Sequence, residues 1–458
     1  MDEKLNIGKK TFISAALILF VLLIGAGILT QVIPMGNYQY TIENGQSVIV
    51  PDSFSYIDGE RLPIYKWFTA PIEVLFSSEG LIIITIILFL LIVGGAIHIL
   101  NEVNVLKTII DNVVIKFKSK KYLLIRIIIL IFMSLGAFIG IFEEIIPLIP
   151  LVISLSIALG FDVMTGLGMS LLATGFGFAA AVSNPFTIGV AQKVADIPVF
   201  SGALFRLIIF IFTYLILSAM LIKYAKKVEK KEKQNIEIKE MGNKKAVKWF
   251  IFCTIIMIAM ILLSPIVDVI SSYNLPIIGL LFLMSGIGCG VLSKYSFKNT
   301  LKLFVSGTKT MLPGILLILL ATGVKHIIQT GNIMDTILNY ASIKVLSSSP
   351  FVSILFVYLL VFVLNFFVGS GSAKAFIVIP IIAPLMDMIG TSRQLAILAF
   401  QFGDGFSNIL YPTNAVLLIG IGIAGVSYTK WFKWVIKYQI IIGLLSIVWL
   451  FIGMKIGY

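Results

Sequence analysis

Long apolar runs separated by short polar breaks dominate the chain. The first run covers 11–34 and follows Lys9 and Lys10. A polar stretch, 35–79, comes next. Apolar runs then recur at 80–100, 122–139, 163–194 and 204–222, and after a lysine-rich stretch at 249–270, 275–292, 311–328, 351–367, 396–424 and 434–452. Several are long enough to cross a hydrocarbon core of about 30 Å at about 1.5 Å per residue. The first is too long for a signal-peptide core and lacks a small-residue cleavage site, so it reads as a retained helix. Two segments, Val105–Phe117 and 333–345, are short and amphipathic and are expected in the interface or against other helices. Counting each run as one crossing gives no consistent parity. At least one segment is therefore a half-span or a horizontal helix.

Composition narrows the class. Apolar residues make up 59% and charged residues 12%, about half the charged share of a soluble domain. The expected fold is an all-α polytopic membrane protein. An outer-membrane barrel would instead show alternating segments of about 10 residues. The net charge of +13 is not a nucleic-acid signature, because Lys223 to Lys248 alone holds ten lysines against four glutamates. Such a block beside membrane spans marks the cytoplasmic side and suits anionic lipid. It places the N-terminus and the 223–248 loop in the cytoplasm, with the protein in the cell membrane. The 35–79 stretch carries Glu43, Asp52, Asp58, Glu60, Glu73 and Glu79 against Arg61 and Lys66, which fits the outer face. Cys253 and Cys289 lie in apolar runs, fit no metal spacing and suggest no disulfide.

The two halves repeat each other. At an offset of 230, Pro150 meets Pro380, Gly160 meets Gly390, Gly175-Phe176 meets Gly405-Phe406, and Ser183-Asn184 meets Thr413-Asn414. Upstream the offset is 228, pairing His98 with His326 and Thr108-Ile109 with Thr336-Ile337. Paired broken segments of this kind serve, when the repeats are inverted, to bring half-helix ends to the bilayer midplane, where they hold ions and charged solutes. The lysine-rich central loop permits that inversion.

Four polar clusters interrupt the apolar runs. Glu143-Glu144 is followed by Pro147 and Pro150. An intramembrane carboxylate is a functional hypothesis by default, and the prolines suit a re-entrant turn; a hydrated interfacial pair is the plainer alternative. In Ser183-Asn184-Pro185-Phe186-Thr187, Pro185 frees backbone carbonyls, and Ser183, Asn184 and Thr187 offer hydroxyl and amide groups to a solute that has lost water. A kinked helix satisfying itself is equally compatible with this stretch. Ser370-Gly371-Ser372-Ala373-Lys374 reads as a second hairpin tip, whose N–H groups could form an anion nest. It could also be a small-residue packing patch with Lys374 snorkelling. Finally, Gln401 to Asn408 and Tyr411 to Asn414 surround Asp404 with glycines, Ser407, Asn408, Thr413 and Asn414. This is hard, oxygen-rich chemistry suited to Na⁺ or a substrate ammonium. His98 and His326 read as structural hydrogen-bonding groups. There is no nucleotide-binding glycine motif and hence no ATP-driven pump.

At Phe142-Glu143-Glu144, Asn184-Pro185-Phe186 with Val190-Ala191-Gln192, Val199 to Gly202 with Arg206, Asn365 to Val368 with Ser370-Gly371-Ser372, and Gln401 to Ser407 with Tyr411-Pro412-Thr413, the chain resembles the YfcC family. That family belongs with the C4-dicarboxylate anaerobic carriers of the ion transporter superfamily. The resemblance spans essentially the whole chain. It implies two inverted repeats with paired re-entrant hairpins and broken helices, moving as an elevator against a homodimeric scaffold. It also implies Ser-Asn-Thr-like motifs that bind substrate and Na⁺ at the midplane. Ser183-Asn184 with Thr187, and Thr413-Asn414, stand where those motifs would be, although Pro185 and Ala415 depart from the strict triplet.

The combined reading assigns 1–79 to an N-terminal helix and outer loop, and 80–222 to repeat 1, with a hairpin near 140–160 and a broken helix at 183–187. It assigns 223–248 to the basic loop, 249–307 to two scaffold helices, and 308–458 to repeat 2, with a hairpin near 368–390 and a broken helix at 404–415. The expected function is secondary active transport, by symport or antiport, of small charged metabolites: amino acids, slightly favoured by the acidic lining, or C4-dicarboxylates. Ser183, Asn184, Thr187, Ser370, Ser372, Thr413 and Asn414 are the substrate-binding candidates. Glu143, Glu144, Asp404, Ser407 and Asn408 are the cation- or proton-coupling candidates. No cofactor or metal is expected beyond Na⁺ or H⁺. The alternatives are an intramembrane hydrolase using Ser370 or Ser372 with Lys374, and a passive channel, which would need rings of equivalent groups.

Overall fold

The structure, a computed structural model, describes residues 9–43, 46–78, 80–117, 119–229, 242–263, 267, 269–270 and 273–458. Glu79 and residues 230–241 of the lysine-rich segment lie outside the described residues. Nine helices among the described residues are long and apolar enough to cross a bilayer: Phe12–Val32, Gly80–Glu102, Lys121–Ile139, Ala203–Val228, Lys244–Leu263, Asn274–Leu292, Phe297–Thr330, Gly371–Met388 and Tyr428–Ile456. No more than 50% of any of these apolar windows is buried within the protein. The outward remainder carries large apolar side chains such as Leu17, Ile82, Leu215, Ile255 and Leu444. Water does not favour such a surface and lipid does. The chain is a multi-pass membrane protein.

The order of helices recurs. Gly80–Glu102, Val105–Phe117 and Lys121–Ser134 have counterparts in Leu312–Thr330, Met334–Leu346 and Pro350–Leu364. Ile149–Ala158 corresponds to Gly371–Met388, Val163–Ala179 to Arg393–Ser407, Val190–Val194 to Ala415–Ile423, and Ala203–Val228 to Tyr428–Ile456. Gly160 and Gly390, equivalent at the 230 offset, both sit in the left-handed region, at φ 90° and 65°, where a glycine ends a helix at least cost. The halves differ in one local respect. The first contains three π-helical turns, Leu135–Ile139, Gly168–Leu172 and Pro185–Gly189; the described residues of the second contain none.

The segment expected to hold two scaffold helices, 249–307, holds parts of three: Lys244–Leu263, Asn274–Leu292 and Phe297–Thr310. The third escaped notice because Lys298, Lys302 and Lys309 interrupt its hydropathy. Small residues let these helices close on Gly80–Glu102: a Cβ on Gly286 would lie 2.8 Å from the Ala96 Cα. The basic segment is shorter as a loop than expected. Lys223, Lys226 and Lys227 belong to Ala203–Val228, and Lys244, Lys245 and Lys248 open the next helix.

The fold is nearly all-helical rather than all-α. Gly36–Asn37 pairs antiparallel with Ser55–Tyr56, and Tyr40–Glu43 pairs with Gln46–Ile49 in the register Tyr40↔Ile49. Buried Tyr38, Val48 and Ile49 hold these ribbons down. The Asp335 carboxylate clasps them: it accepts from the Tyr38 N–H (2.9 Å) and from the Tyr40 hydroxyl (2.8 and 3.0 Å). Thr336 Oγ1 also donates to the Pro34 carbonyl at 2.8 Å. The ribbon then leads into Ile64–Glu73, which buries Trp67 and Ala70. His326 Nε2 lies 3.9 Å from the Glu73 carboxylate.

Burial raises the Asp335 carboxyl above the ordinary carboxylate range, against the opposing hydrogen bonds from Tyr38 and Tyr40. The folded state therefore favours the protonated acid. This contribution is complete below the unfolded value of about 3.9 and is lost as pH rises through the higher folded value. The melting point of the wild type relative to Asp335→Asn is expected to rise as pH falls through that window. A relative fall there would contradict the burial of the acid.

Candidate functional site

Each half carries a helix that stops inside the bundle and restarts. Val163–Ala179 ends before Ala180, and the chain resumes as a helix at Pro185. Proline suits a first helical position because its missing N–H is not needed there. Asn184 caps the restart: its Oδ1 accepts from the Phe186 and Thr187 N–H groups at 2.9 and 3.2 Å. In the second half, Arg393–Ser407 ends and Ala415–Ile423 begins behind Asn414, whose Oδ1 accepts from the Leu417 N–H at 3.1 Å. The same residue type at repeat-equivalent positions thus satisfies otherwise unpaired donors at both breaks. Both restarted segments turn a positive dipole end toward the break.

Two hairpin tips meet these breaks. The first turns at Gly140, whose φ of 81° admits glycine readily; a Cβ there would lie 2.3 Å from Asn184 Oδ1. Beyond it Glu143 is exposed and Glu144 half-buried. Glu144 accepts from its neighbour's Phe142 N–H (3.1 Å) and from Asn274 Nδ2 (2.8 Å) on the Asn274–Leu292 helix. The second tip turns between Leu364 and Gly371. A Cβ on Gly371 would lie 2.6 Å from Thr187 Cγ2 and 2.9 Å from Asp404 Oδ2. The second tip therefore touches both breaks at once.

A buried ion pair lies behind that tip. Lys374, 1% exposed, donates from its ammonium to Asp404 Oδ1 and Asn365 Oδ1, and Asp404 is fully buried. The Asn365 amide donates in turn to the Asp404 carbonyl (3.0 Å), Ser407 Oγ (2.6 Å) and Asn408 Oδ1 (2.9 Å). Asn414 Nδ2 donates to the same Asn408 oxygen at 3.1 Å. Ser407 donates to the Gly403 carbonyl at 2.6 Å.

The expected site residues separate into groups. Thr187 and Asp404 converge on the second tip, while Asn184 sits against Gly140 of the first. Thr413 and Asn414 line the second break, and Ser407 and Asn408 are committed to Asn365 and to backbone. Ser183 donates to the Phe138 carbonyl at 3.3 Å. Ser370, exposed, and Ser372, half-buried, bond to each other at 3.3 Å while the Lys374 ammonium turns away to Asp404. Among the described residues, the buried polar atoms of the two breaks without a hydrogen-bond partner include Asn184 Nδ2, Thr187 Oγ1, Gln401 Oε1, Asp404 Oδ2 and Thr413 Oγ1. Leaving buried polar atoms unpaired costs about 1–3 kcal/mol each, so such a cluster points to a ligand.

The broken helices cross each other at equivalent residues. A Cβ on Gly405 would lie 2.2 Å from the Ala179 Cα, and one on Gly175 would lie 2.4 Å from Ile409 Cγ2. Residue 175 thus faces 409, and 179 faces 405, each pair related to the other by the 230 offset. Phe176 and Phe406, themselves equivalents, meet edge-to-face with centroids 5.5 Å apart.

Sequence reasoning passed over Asn365, Asn274 and Gln401 as site residues. Asn365 could have been found as the one amide ending an apolar run before the glycine-serine tip. Arg206 is a structural anchor: fully buried, its guanidinium donates to the Val182 carbonyl (3.0 and 3.2 Å) just ahead of the first break and to the Ser201 carbonyl (2.8 Å).

Comparison with known proteins bears on this arrangement. The chain is 29% identical to the Escherichia coli (strain K12) protein named "Putative basic amino acid antiporter YfcC", over 91% of each chain. It is 26% identical to an uncharacterized protein of Haemophilus influenzae (strain ATCC 51907 / DSM 11121 / KW20 / Rd), over 93% of this chain and 94% of the other. Among solved structures, the Alcanivorax borkumensis YdaH transporter aligns over 97% of this chain and 99% of its own at 16% identity, with a TM-score of 0.46. Residues 12–455 match the family described as DcuC, C4-dicarboxylate anaerobic carrier, and since that match takes in nearly the whole chain, the protein belongs to the C4-dicarboxylate anaerobic carrier family.

Proposed function

We propose that the chain is a secondary active transporter that binds a small α-amino-acid-type solute between the two helix breaks. The carrying observation is the set of unpaired buried atoms. Asn184 Nδ2, Thr187 Oγ1 and Thr413 Oγ1 can donate to a carboxylate, while Asp404 Oδ2 and the neutral Gln401 Oε1 can only accept. One anionic acceptor among neutral donors matches a solute with one ammonium and one carboxylate. Exposed Glu143 at the facing tip suits a second cationic group. The name carried by the Escherichia coli relative, a basic amino acid antiporter, agrees with this reading.

The antiparallel, self-equivalent crossing at Gly175–Ile409 and Ala179–Gly405 supports inverted repeats, because only a twofold axis across the helices pairs residues in that way. The two hairpins and broken helices then form one body. We propose that this body moves as an elevator against the remaining helices, paired with a second copy of the chain, as the resemblance implies.

A C4-dicarboxylate is the second reading, favoured by the family description and by the excess of donors over acceptors. Thermal stabilisation of the purified protein by arginine, ornithine, succinate and fumarate separates the two, since a ligand that binds only the folded state raises the melting point. Stabilisation by the amino acids alone supports the first reading. Stabilisation by succinate or fumarate alone overturns it.

The two capping asparagines are expected to differ. Asn184→Asp keeps the cap acceptor but replaces the free donor with a buried acidic oxygen, so the apparent solute constant should rise roughly tenfold or more, with some loss of stability from the added buried acid. Asn414→Asp, whose amide already serves Asn408, should change that constant much less. Equal effects in a proteoliposome counterflow assay would remove Asn184 from the solute site.

A further inference from the structure

We infer that Lys374 is a built-in counter-cation: its ammonium takes the coordination a coupling metal ion would use, and solute binding in this chain needs neither Na⁺ nor K⁺. The inference deepens the transport reading and rests on it for its meaning, but the observations behind it are separate.

The oxygens of 404–408 are the part of the set suggested for Na⁺ that surrounds Asp404, the rest being Thr413, Asn414 and the 183–187 motif, and most of the 404–408 oxygens are already taken. Asp404 Oδ1 and Asn365 Oδ1 both accept from the Lys374 ammonium. Asn408 Oδ1 accepts from the amides of Asn365 and Asn414, at 2.9 and 3.1 Å. The Asp404 carbonyl accepts from Asn365 at 3.0 Å and from Ser407 at 3.1 Å. A bare cation needs several lone pairs directed at one point, and here those lone pairs are already directed at N–H and O–H groups. The carboxylate oxygen left over, Asp404 Oδ2, faces Thr187 and Gly371 on the solute side.

Charge leads to the same assignment. One fully buried carboxylate is balanced by one buried ammonium, and a further cation at that place would add an unpaired charge in a low-dielectric setting. The lysine is not a structural need of the hairpin as such, because its equivalent in the first hairpin is Glu144. Its stem is not drawn out to an interface either: it is 1% exposed. The ion is, in effect, carried on a four-carbon tether.

The test reads cation binding directly. Purified full-length protein is melted in NaCl, KCl and choline chloride at matched ionic strength, without solute. The wild type should melt within about 1 °C in all three. Lys374→Ala frees the oxygens of Asp404 and Asn365 and leaves room for an ion. Its melting point should rise by roughly 3–5 °C in NaCl or KCl over choline chloride, and a further Asp404→Asn change should abolish that rise. A wild type that is itself stabilised by Na⁺ or K⁺ by that amount overturns the inference. So does a folded Lys374→Ala protein that is indifferent to all three salts. If Lys374→Ala does not fold, the wild-type comparison and Lys374→Arg decide, the latter expected to fold and to ignore the salts. Failure of every solute to stabilise the wild type would count against the transport reading and leave the cation assignment standing.

Discussion

Lys374→Met in choline buffer is expected to destabilise the protein by about 3–5 kcal/mol and to stop solute exchange. The side chain is replaced by one of similar length, so packing changes little. What is lost is the positive charge. Asp404, fully buried, would keep a carboxylate without its partner, and Asn365 Oδ1 would lose its donor. Breaking one side of a buried pair is costly because the other charge stays behind; removing both can be nearly neutral. The double variant Lys374→Met/Asp404→Asn should therefore recover most of the lost stability while remaining inactive, since Asp404 Oδ2, the proposed partner of the solute ammonium, loses its charge. The strong positive coupling of this double-mutant cycle, read from melting and from counterflow, is the expected signature. A single variant as stable as the wild type would mean that the pair is hydrated and not buried.

The second large effect concerns the crossing of the broken helices. Gly405→Ala places a Cβ 2.2 Å from the Ala179 Cα, and backbone cannot turn aside as a side-chain end can. The helices must separate, at an expected cost of about 1–3 kcal/mol or more. Gly175→Ala, at the equivalent position, meets only Ile409 Cγ2 at 2.4 Å, and an isoleucine methyl can move. The melting point should fall clearly further for Gly405→Ala than for Gly175→Ala. The first should also weaken solute binding, because Gly405 adjoins Asp404 and Ala179 leads into the break before Asn184. Equal losses would show that the halves meet elsewhere.

Much of this was legible along the chain. The 230 offset located Gly175 with Gly405 and Asn184 with Asn414, because both breaks need a capping amide and both crossings need a small residue. The glycine-serine run coincides with the turn between Leu364 and Gly371, whereas the first turn falls at Gly140, ahead of Pro147 and Pro150, which sit in the helical turns that follow. What one dimension hides is pairing. Asp404 looked like a free ligand and Lys374 like a snorkelling or anion-nest residue, since thirty positions separate them and only the turn at 365–370 brings them together. Ser407 and Asn408 likewise looked available until the Asn365 amide was found between them. The Phe297–Thr310 helix was lost because its lysines dilute the hydropathy on which span recognition depends. The ribbons of 36–56 are too short to show an alternating pattern.

The three π-helical turns of the first half carry a mechanical consequence. Each is wound wider than the α-helix around it, with i→i+5 in place of i→i+4 hydrogen bonds, and so accommodates an extra residue without ending the helix. They lie at Leu135–Ile139 beside the first tip, at Gly168–Leu172 within the first broken helix, and at Pro185–Gly189 immediately after its break. The second-half counterparts of the latter two lie in the α-helices Arg393–Ser407 and Ala415–Ile423, and that of the first lies in the turn after Leu364. All three π-helical turns thus fall on the first half's side of the proposed site, and the side holding Lys374 and Asp404 has none among the described residues, so any movement the turns permit would be made by the first half.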